Sequence, residues 1–151
     1  VIKVFEMETG ECIKEFSGQH DFLRCQYLKY KKQLLLVDNQ QNLSLFDVHL
    51  TEDEFDLKLN QEIIGYNDEI IDCQMMGYQG TFEEYVPRAI VAVNSDQVRY
   101  VNLDTMKTSL ITGHSDIVLT IDVVDSYLVT GAKDNTVKLW IIDEEDGVFK
   151  G

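Results

Sequence analysis

The sequence predicts an all-β protein built from repeated four-stranded antiparallel sheets. Short runs in which apolar and polar residues alternate recur along the chain, as in strands that bury one face. Turn-forming Gly, Asn and Asp residues separate these runs, for example at Thr9-Gly10 and Asp134-Asn135. No heptad or long amphipathic pattern that would predict a helix interrupts them.

The clearest repeat spans residues 113–141, which read GHSDIVLTIDVVDSYLVTGAKDNTVKLWI. It contains three runs with a two-residue period, at 117–124, 127–130 and 136–142. A Gly-His pair opens the repeat and Trp140-Ile141 closes it. This arrangement resembles a WD40 repeat, in which four strands form one blade of a β-propeller. Isoleucine stands where an aspartate usually follows the tryptophan.

The same four-strand pattern recurs in weaker form before this repeat. We expect the last two strands of a blade at 1–18, blades at 19–64 and 65–112, and a blade with an incomplete outer strand at 113–151. Since a WD40 blade takes about 40 to 45 residues, the chain holds about three to three and a half blades. Closed propellers typically have about four to eight, so we expect the chain to be part of a larger propeller protein.

Charge and hydropathy exclude several kinds of partner. The net charge is −14, from 27 acidic and 13 basic residues. Because clustered lysine and arginine are needed to bind phosphates, we do not expect non-specific binding of nucleic acid. The one basic cluster, at Lys29, Lys31 and Lys32, is interpreted as a solvated turn rather than an RNA contact. No apolar run approaches the roughly 20 residues that span a bilayer, so no membrane association is expected.

Four residues of the clearest repeat match the hydrogen-bonded tetrad of WD40 blades: His114, Thr130, Asp134 and Trp140. In that arrangement the threonine hydroxyl accepts a bond from a buried indole N–H and bonds to the imidazole. The turn aspartate orients the other ring nitrogen. We therefore predict one buried cluster with a structural role. A hydrolase triad is the alternative, but the blade explains all four residues without catalysis.

Other potential sites are weaker. In the blade at 19–64, His20 is expected at the place of His114, with Asp38 and Phe46 implying only a partial tetrad. No phosphate-binding glycine loop, nucleophile elbow or metal-ligand spacing is present. We therefore predict no catalytic, cofactor or metal residue, no small-molecule substrate and no enzymatic activity.

The blade at 65–112 carries an insertion at residues 77–88, between its first two strands. Its candidate partner-binding residues are Tyr78, Phe82, Tyr85 and Arg88. Loops on a rigid scaffold carry much of the binding function, so this insertion could contact a partner. The alternative is a loop whose aromatic side chains pack on their own blade.

Longer motifs resemble one WD40 family in particular. They read IGYNDEIID at 64–72, IVAVNSDQVRYVNLDTMKTSLITGHSDIVLTIDVV at 90–124 and AKDNTVKLW at 132–140. Together they are similar to the transducin-beta-like protein 3 family, which includes U3 small nucleolar RNA-associated protein 13. The stretch at 33–46 resembles the preceding blade of that family. The chain departs from the pattern at the insertion and at Tyr100-Val101-Asn102.

The resemblance implies a non-catalytic scaffold of the nucleus and nucleolus, with two tandem propellers in the intact protein. Its implied partners are the other WD40 subunits of the UTP-B subcomplex and further proteins of the small-subunit processome. Association with U3 small nucleolar RNA and pre-ribosomal RNA would be indirect. The fold alone equally permits another WD40 adaptor, such as a ubiquitin-ligase substrate receptor. An enzyme with a propeller pocket is a third alternative, against which the lack of convergent catalytic groups counts.

Overall fold

The structure, a computed structural model, describes residues 1–29, 31–51, 55–63, 68–76, 86–142 and 149–150. Within these ranges the chain forms antiparallel β-strands and no α-helix. The prediction of an all-β fold is therefore confirmed. The same ranges contain no helix able to cross a membrane.

Strands that follow one another in sequence pair to form each sheet. A two-stranded sheet joins β1 (Ile2–Phe5) to β2 (Cys12–Phe16). A four-stranded sheet contains β3 (Phe22–Leu28), β4 (Gln33–Asp38), β5 (Leu43–Leu50) and β6 (Phe55–Ile63). The next contains β7 (Ile70–Met75), β8 (Arg88–Val93), β9 (Val98–Asn102) and β10 (Thr108–Ile111). The last contains β11 (Val118–Val124), β12 (Tyr127–Ala132), β13 (Val137–Ile142) and β14 (Phe149–Lys150).

This organisation fits part of a WD40 propeller. The chain divides into two compact units, residues 1–67 and residues 68–151. In the first unit, Phe16 of β2 packs on Phe55 of β6, with ring centroids 5.5 Å apart. The blade limits given above for 1–18, 19–64, 65–112 and 113–151 remain predictions.

Turn chemistry explains how β12 reverses into β13. Asn135 has a φ of 64°, a left-handed conformation that asparagine tolerates better than most residues. The Asp134 carboxylate accepts a bond from the backbone N–H of Thr136 at 2.9 Å. The left-handed conformation of Asn135 and the bond between Thr136 and Asp134 close a tight turn, so β12 and β13 pair as neighbouring strands.

The core of the second unit lies between the β7–β10 and β11–β14 sheets. Its buried residues are Met76, Ile90, Ala92, Val98, Tyr100, Ile111, Val118, Ile121, Leu128, Trp140 and Ile142. A polar contact also joins the two first strands, because the buried Asp72 carboxylate accepts bonds from β11. The donors are the backbone N–H of Ile121 at 3.0 Å and the hydroxyl of Thr120 at 3.3 Å.

The two sheets of this unit share one register. Ile70 pairs with Val93 in the β7–β10 sheet, and Val118 pairs with Ala132 at the equivalent position of the β11–β14 sheet. In both sheets the register then shifts within the first strand. Equivalent positions in the two sheets can therefore be compared directly.

That comparison identifies an exposed apolar surface on the last sheet. The buried residues Met76, Ile90, Val98 and Tyr100 of the β7–β10 sheet correspond to Val124, Val129, Val137 and Leu139 of the β11–β14 sheet. The side chains of Val124, Val129, Val137 and Leu139 are here called the open face. Their exposed fractions lie between 39% and 75%. The last sheet therefore exposes the kind of surface that its neighbour buries.

We expect a protein limited to residues 1–151 to self-associate and to bind hydrophobic dye through the open face. Leu139→Lys should decrease both effects, because a charge at this position opposes burial of the surface. Sedimentation velocity and dye fluorescence would measure the changes. Leu110→Lys is the matched control, since Leu110 is similarly exposed, at 52% against 57%, but lies outside the open face. A cooperatively melting monomer that binds no dye would contradict this expectation.

Candidate functional site

A buried hydrogen-bonded network joins β12, β13 and the segment that precedes β11. Trp140 Nε1 donates to Thr130 Oγ1 at 2.8 Å, and this oxygen lies 2.6 Å from Nε2 of His114. Nδ1 of His114 lies 2.8 Å from Oδ2 of Asp134. The structure thus brings together the four residues that the sequence singled out.

The chemistry of each group sets the direction of these bonds. An indole N–H can only donate, so Thr130 Oγ1 accepts it and has a single proton to give to Nε2 of His114. When Thr130 gives this proton to Nε2, that nitrogen is unprotonated, and the proton of the neutral imidazole lies on Nδ1. Nδ1 donates that proton to the Asp134 carboxylate. In this tautomer each group donates to the next, from Trp140 through Thr130 and His114 to Asp134.

Burial argues for a structural rather than a catalytic role. Thr130 is fully buried, and Trp140 and His114 are only 6% and 7% exposed. A nucleophile must reach its substrate, whereas the Thr130 hydroxyl is enclosed and already bonded to both the indole and the imidazole. Hydrogen bonds of this kind remove the cost of burying polar groups inside an apolar sheet interface.

Two further residues, which sequence reasoning missed, complete the network. The Thr136 hydroxyl donates to Asp134 Oδ1 at 2.6 Å, and the Ser115 backbone N–H donates to Oδ2 at 3.0 Å. The bond from Thr136, followed by those from Ser115 and His114, lowers the pKa of Asp134 far below its ordinary value. The sequence Asp134-Asn135-Thr136 could have predicted the bonds from Thr136, because aspartate accepts bonds from residues two positions later in such turns.

Gly113 allows the chain to cross closely over the indole. A Cβ atom at this position would lie 2.6 Å from Cη2 of Trp140, closer than real atoms approach. The two aromatic rings of His114 and Trp140 meet edge to face, with centroids 6.2 Å apart. The Gly-His pair of the repeat therefore has a physical reason: the glycine gives room to the indole, and the histidine bonds to its acceptor.

The β3–β6 sheet lacks this network, and the expectation for His20 is wrong. Phe22 pairs with Asp38 as the first pair of that sheet, equivalent to the pair of Val118 with Ala132. Gly18 lies four residues before Phe22, and His114 lies four residues before Val118. Gly18 therefore takes the place of His114, and His20 lies two residues closer to the strand.

The other two partners are also missing from the β3–β6 sheet. By the same register, Leu36 takes the place of Thr130 and Phe46 takes the place of Trp140. Neither side chain can form a hydrogen bond. The partial tetrad expected for this sheet is therefore not formed, because it has no hydroxyl or indole at these positions.

The candidate partner loop is only partly described. Tyr78, Phe82 and Tyr85 lie outside the described residues, so their role remains a prediction. Arg88 lies in the sheet and not in the insertion, which corrects its assignment: it is the first residue of β8 and pairs with Asn102. Its guanidinium carbon lies 6.0 Å from the ring centre of Tyr100.

Replacing His114 with alanine should lower the free energy of unfolding by about 1 to 3 kcal/mol, because the Thr130 hydroxyl loses its buried acceptor. Thr130→Val should also destabilise the protein, and the two effects should not add, since both remove one network. Chemical denaturation would measure both. His49→Ala, at an exposed position of β5, is the control and should change little. Additive losses in the double variant would show that the residues do not act together.

The lowered pKa of Asp134 predicts a loss of stability in acid. The carboxylate has an ordinary pKa of 3.8, so its contribution is present above that pH and is lost as the pH falls through the lower pKa of the folded state. Asp134→Asn should therefore destabilise the protein at pH 7, and its difference from the wild type should shrink below pH 3.8. Urea denaturation across this range would measure it. Asp104→Asn, at an exposed position, controls for the change in charge. A difference independent of pH would refute the assignment.

Comparison with known proteins shows similarity to several curated relatives. No protein-family model matches the chain. The chain is similar to transducin beta-like protein 3 of Mus musculus, with 26% identity over 146 residues, and of Rattus norvegicus, with 27% identity over 146 residues. Each of these alignments covers 93% of the chain and 17% of the relative. The Homo sapiens protein is 25% identical over 155 residues, covering 98% of the chain and 18% of the relative.

The chain thus spans less than a fifth of the length of these curated relatives. Over nearly its whole length, the chain is similar to transducin beta-like protein 3 of the WD40 family, as the motifs predicted.

Proposed function

We propose that this chain is part of a non-catalytic scaffold of the small-subunit processome, acting within the UTP-B subcomplex in pre-ribosomal RNA processing and small-subunit assembly. The similarity to transducin beta-like protein 3 over 93% to 98% of the chain carries this proposal. The more general part of it, a WD40 scaffold, agrees with the antiparallel sheets and with the relatives.

The geometry of the clearest repeat supports a role in binding rather than in chemistry. The side chains that could have formed a triad are enclosed and hydrogen-bonded to one another. Their arrangement holds the strands of a sheet in place. Partners would then meet the loops and edges that this rigid sheet positions.

Charge supports partners that are proteins. With a net charge of −14, the chain repels phosphates on average, whereas basic protein surfaces are attracted to it. We therefore propose direct contacts with other WD40 subunits of UTP-B and with processome proteins, and an indirect association with U3 small nucleolar RNA and pre-ribosomal RNA. The intact protein would act in the nucleolus.

Depletion of the intact protein should reduce small-subunit ribosomal RNA and spare the large-subunit RNA, because only early small-subunit assembly requires the scaffold. Pulse labelling of ribosomal RNA would measure this effect, and re-expression of the wild-type protein should restore it. The tagged protein should be nucleolar. Normal small-subunit RNA after complete depletion, or a purely cytoplasmic protein, would defeat the proposal.

Co-purification separates this function from the alternative adaptor. Purification of the intact protein should recover UTP-B subunits. Recovery of cullin-linked subunits without ribosome-assembly factors would instead favour a substrate receptor of a ubiquitin ligase.

A further inference from the structure

The β3–β6 sheet contains a cavity at the place where the β11–β14 sheet holds its polar network. The cavity has a volume of about 340 Å³. Gly18 lines it at the position of His114, and Phe46 lines it at the position of Trp140. The imidazole of His20 also lines the cavity, but it does not fill the space at the position of His114.

One side of the cavity is apolar and open to approach. Phe46 of β5 pairs with Leu59 of β6, and both residues line the space. Phe46 is half-buried, and Leu59 is 49% exposed. The wall of the cavity thus contains an aromatic ring beside a side chain that is exposed to solvent.

Two carboxylates line the same cavity. Glu62 follows Leu59 along β6, and its Oε1 lies 3.3 Å from the Ser44 hydroxyl, which donates to it. Asp38 is 6% exposed and stands at the end of β4. His20 is the one basic side chain among the described residues that line the cavity, which include no lysine or arginine.

The turn between β4 and β5 keeps the Asp38 carboxylate ionised. Burial by itself would raise the pKa of Asp38, but bonds from Asn42 and from the Gln40 backbone N–H, together with the charge of His20, outweigh burial and lower it. Oδ1 accepts two backbone bonds, at 2.8 Å and 3.0 Å, and Oδ2 accepts one bond from Nδ2 of Asn42 at 3.0 Å. Since a carboxylate offers about four acceptor sites, Asp38 retains the capacity for one more donor.

We propose that this cavity binds an arginine side chain of a basic segment on a partner protein. A guanidinium combines a planar face that stacks on an aromatic ring with several donors suited to carboxylates, and Phe46, Glu62 and Asp38 supply both kinds of contact. The volume lies within the range of pockets that enclose small groups, about 300 to 1,000 Å³. The charge of −14 attracts such a segment to the protein. The proposal goes beyond the scaffold function and does not depend on the assembly to which the protein belongs.

The test uses the intact protein and the probe peptide acetyl-Ala-Ala-Arg-Ala-Ala-amide. Saturation-transfer difference NMR should show transfer to the arginine methylene protons, and titration should give a dissociation constant. Matched peptides with citrulline or lysine in place of arginine should bind more weakly, because citrulline lacks the charge and lysine lacks the planar fork. Equal binding of either peptide, or no transfer from the protein, would overturn the proposal.

Two variants locate the binding in the cavity. Glu62→Gln should weaken binding by about fivefold, the effect expected for one partly exposed ion pair. Phe46→Leu should also weaken it, because the aromatic face is lost. Glu11→Gln makes the same change of charge at an exposed residue outside the cavity and should leave the dissociation constant unchanged. Equal weakening by Glu11→Gln and Glu62→Gln would show a general charge effect and reject the cavity as the site.

Discussion

Burial of one sheet face against the next sheet is the constraint on which the second unit depends. Strand side chains alternate between the two faces of a sheet, so an apolar set on one face requires a cover. The β7–β10 sheet supplies that cover for the β11–β14 sheet. Asp72 adds a directional component, because its carboxylate bonds to the backbone of Ile121 as well as to a side chain. Apolar burial alone tolerates sliding, whereas these bonds define where β7 meets β11.

Equivalent interior positions of the β11–β14 and β3–β6 sheets are occupied in two different ways. In the β11–β14 sheet, Trp140, Thr130, His114 and Asp134 fill the space with a satisfied network. In the β3–β6 sheet, glycine and apolar residues at the equivalent positions form no such network, and a cavity with carboxylates at its margin takes its place. Equivalent strands can therefore enclose either a hydrogen-bonded network or a cavity. Which of the two occurs depends on a few side chains and not on the backbone register.

Much of this fold could be predicted from the sequence, because alternation of apolar residues follows directly from strand geometry. The contacts of His114 were also predictable, since Gly113, Thr130 and Trp140 stand at a characteristic spacing. The place of His20 was not, because it depends on the pairing of Phe22 with Asp38 and on the irregularity that follows. Arg88 was assigned to a loop for a similar reason: where an insertion ends depends on pairing with β9, which local sequence does not reveal.

Trp140 is the single tryptophan of the chain, and it lies buried in the second unit. Intrinsic tryptophan fluorescence consequently reports on the environment of residues 68–151 and contains no direct signal from residues 1–67. Exchange of its indole proton with solvent requires separation from Thr130, so that proton records the opening of this sheet. The protein therefore carries a natural spectroscopic reporter for one unit, against which events in the other unit can be recorded with an added label.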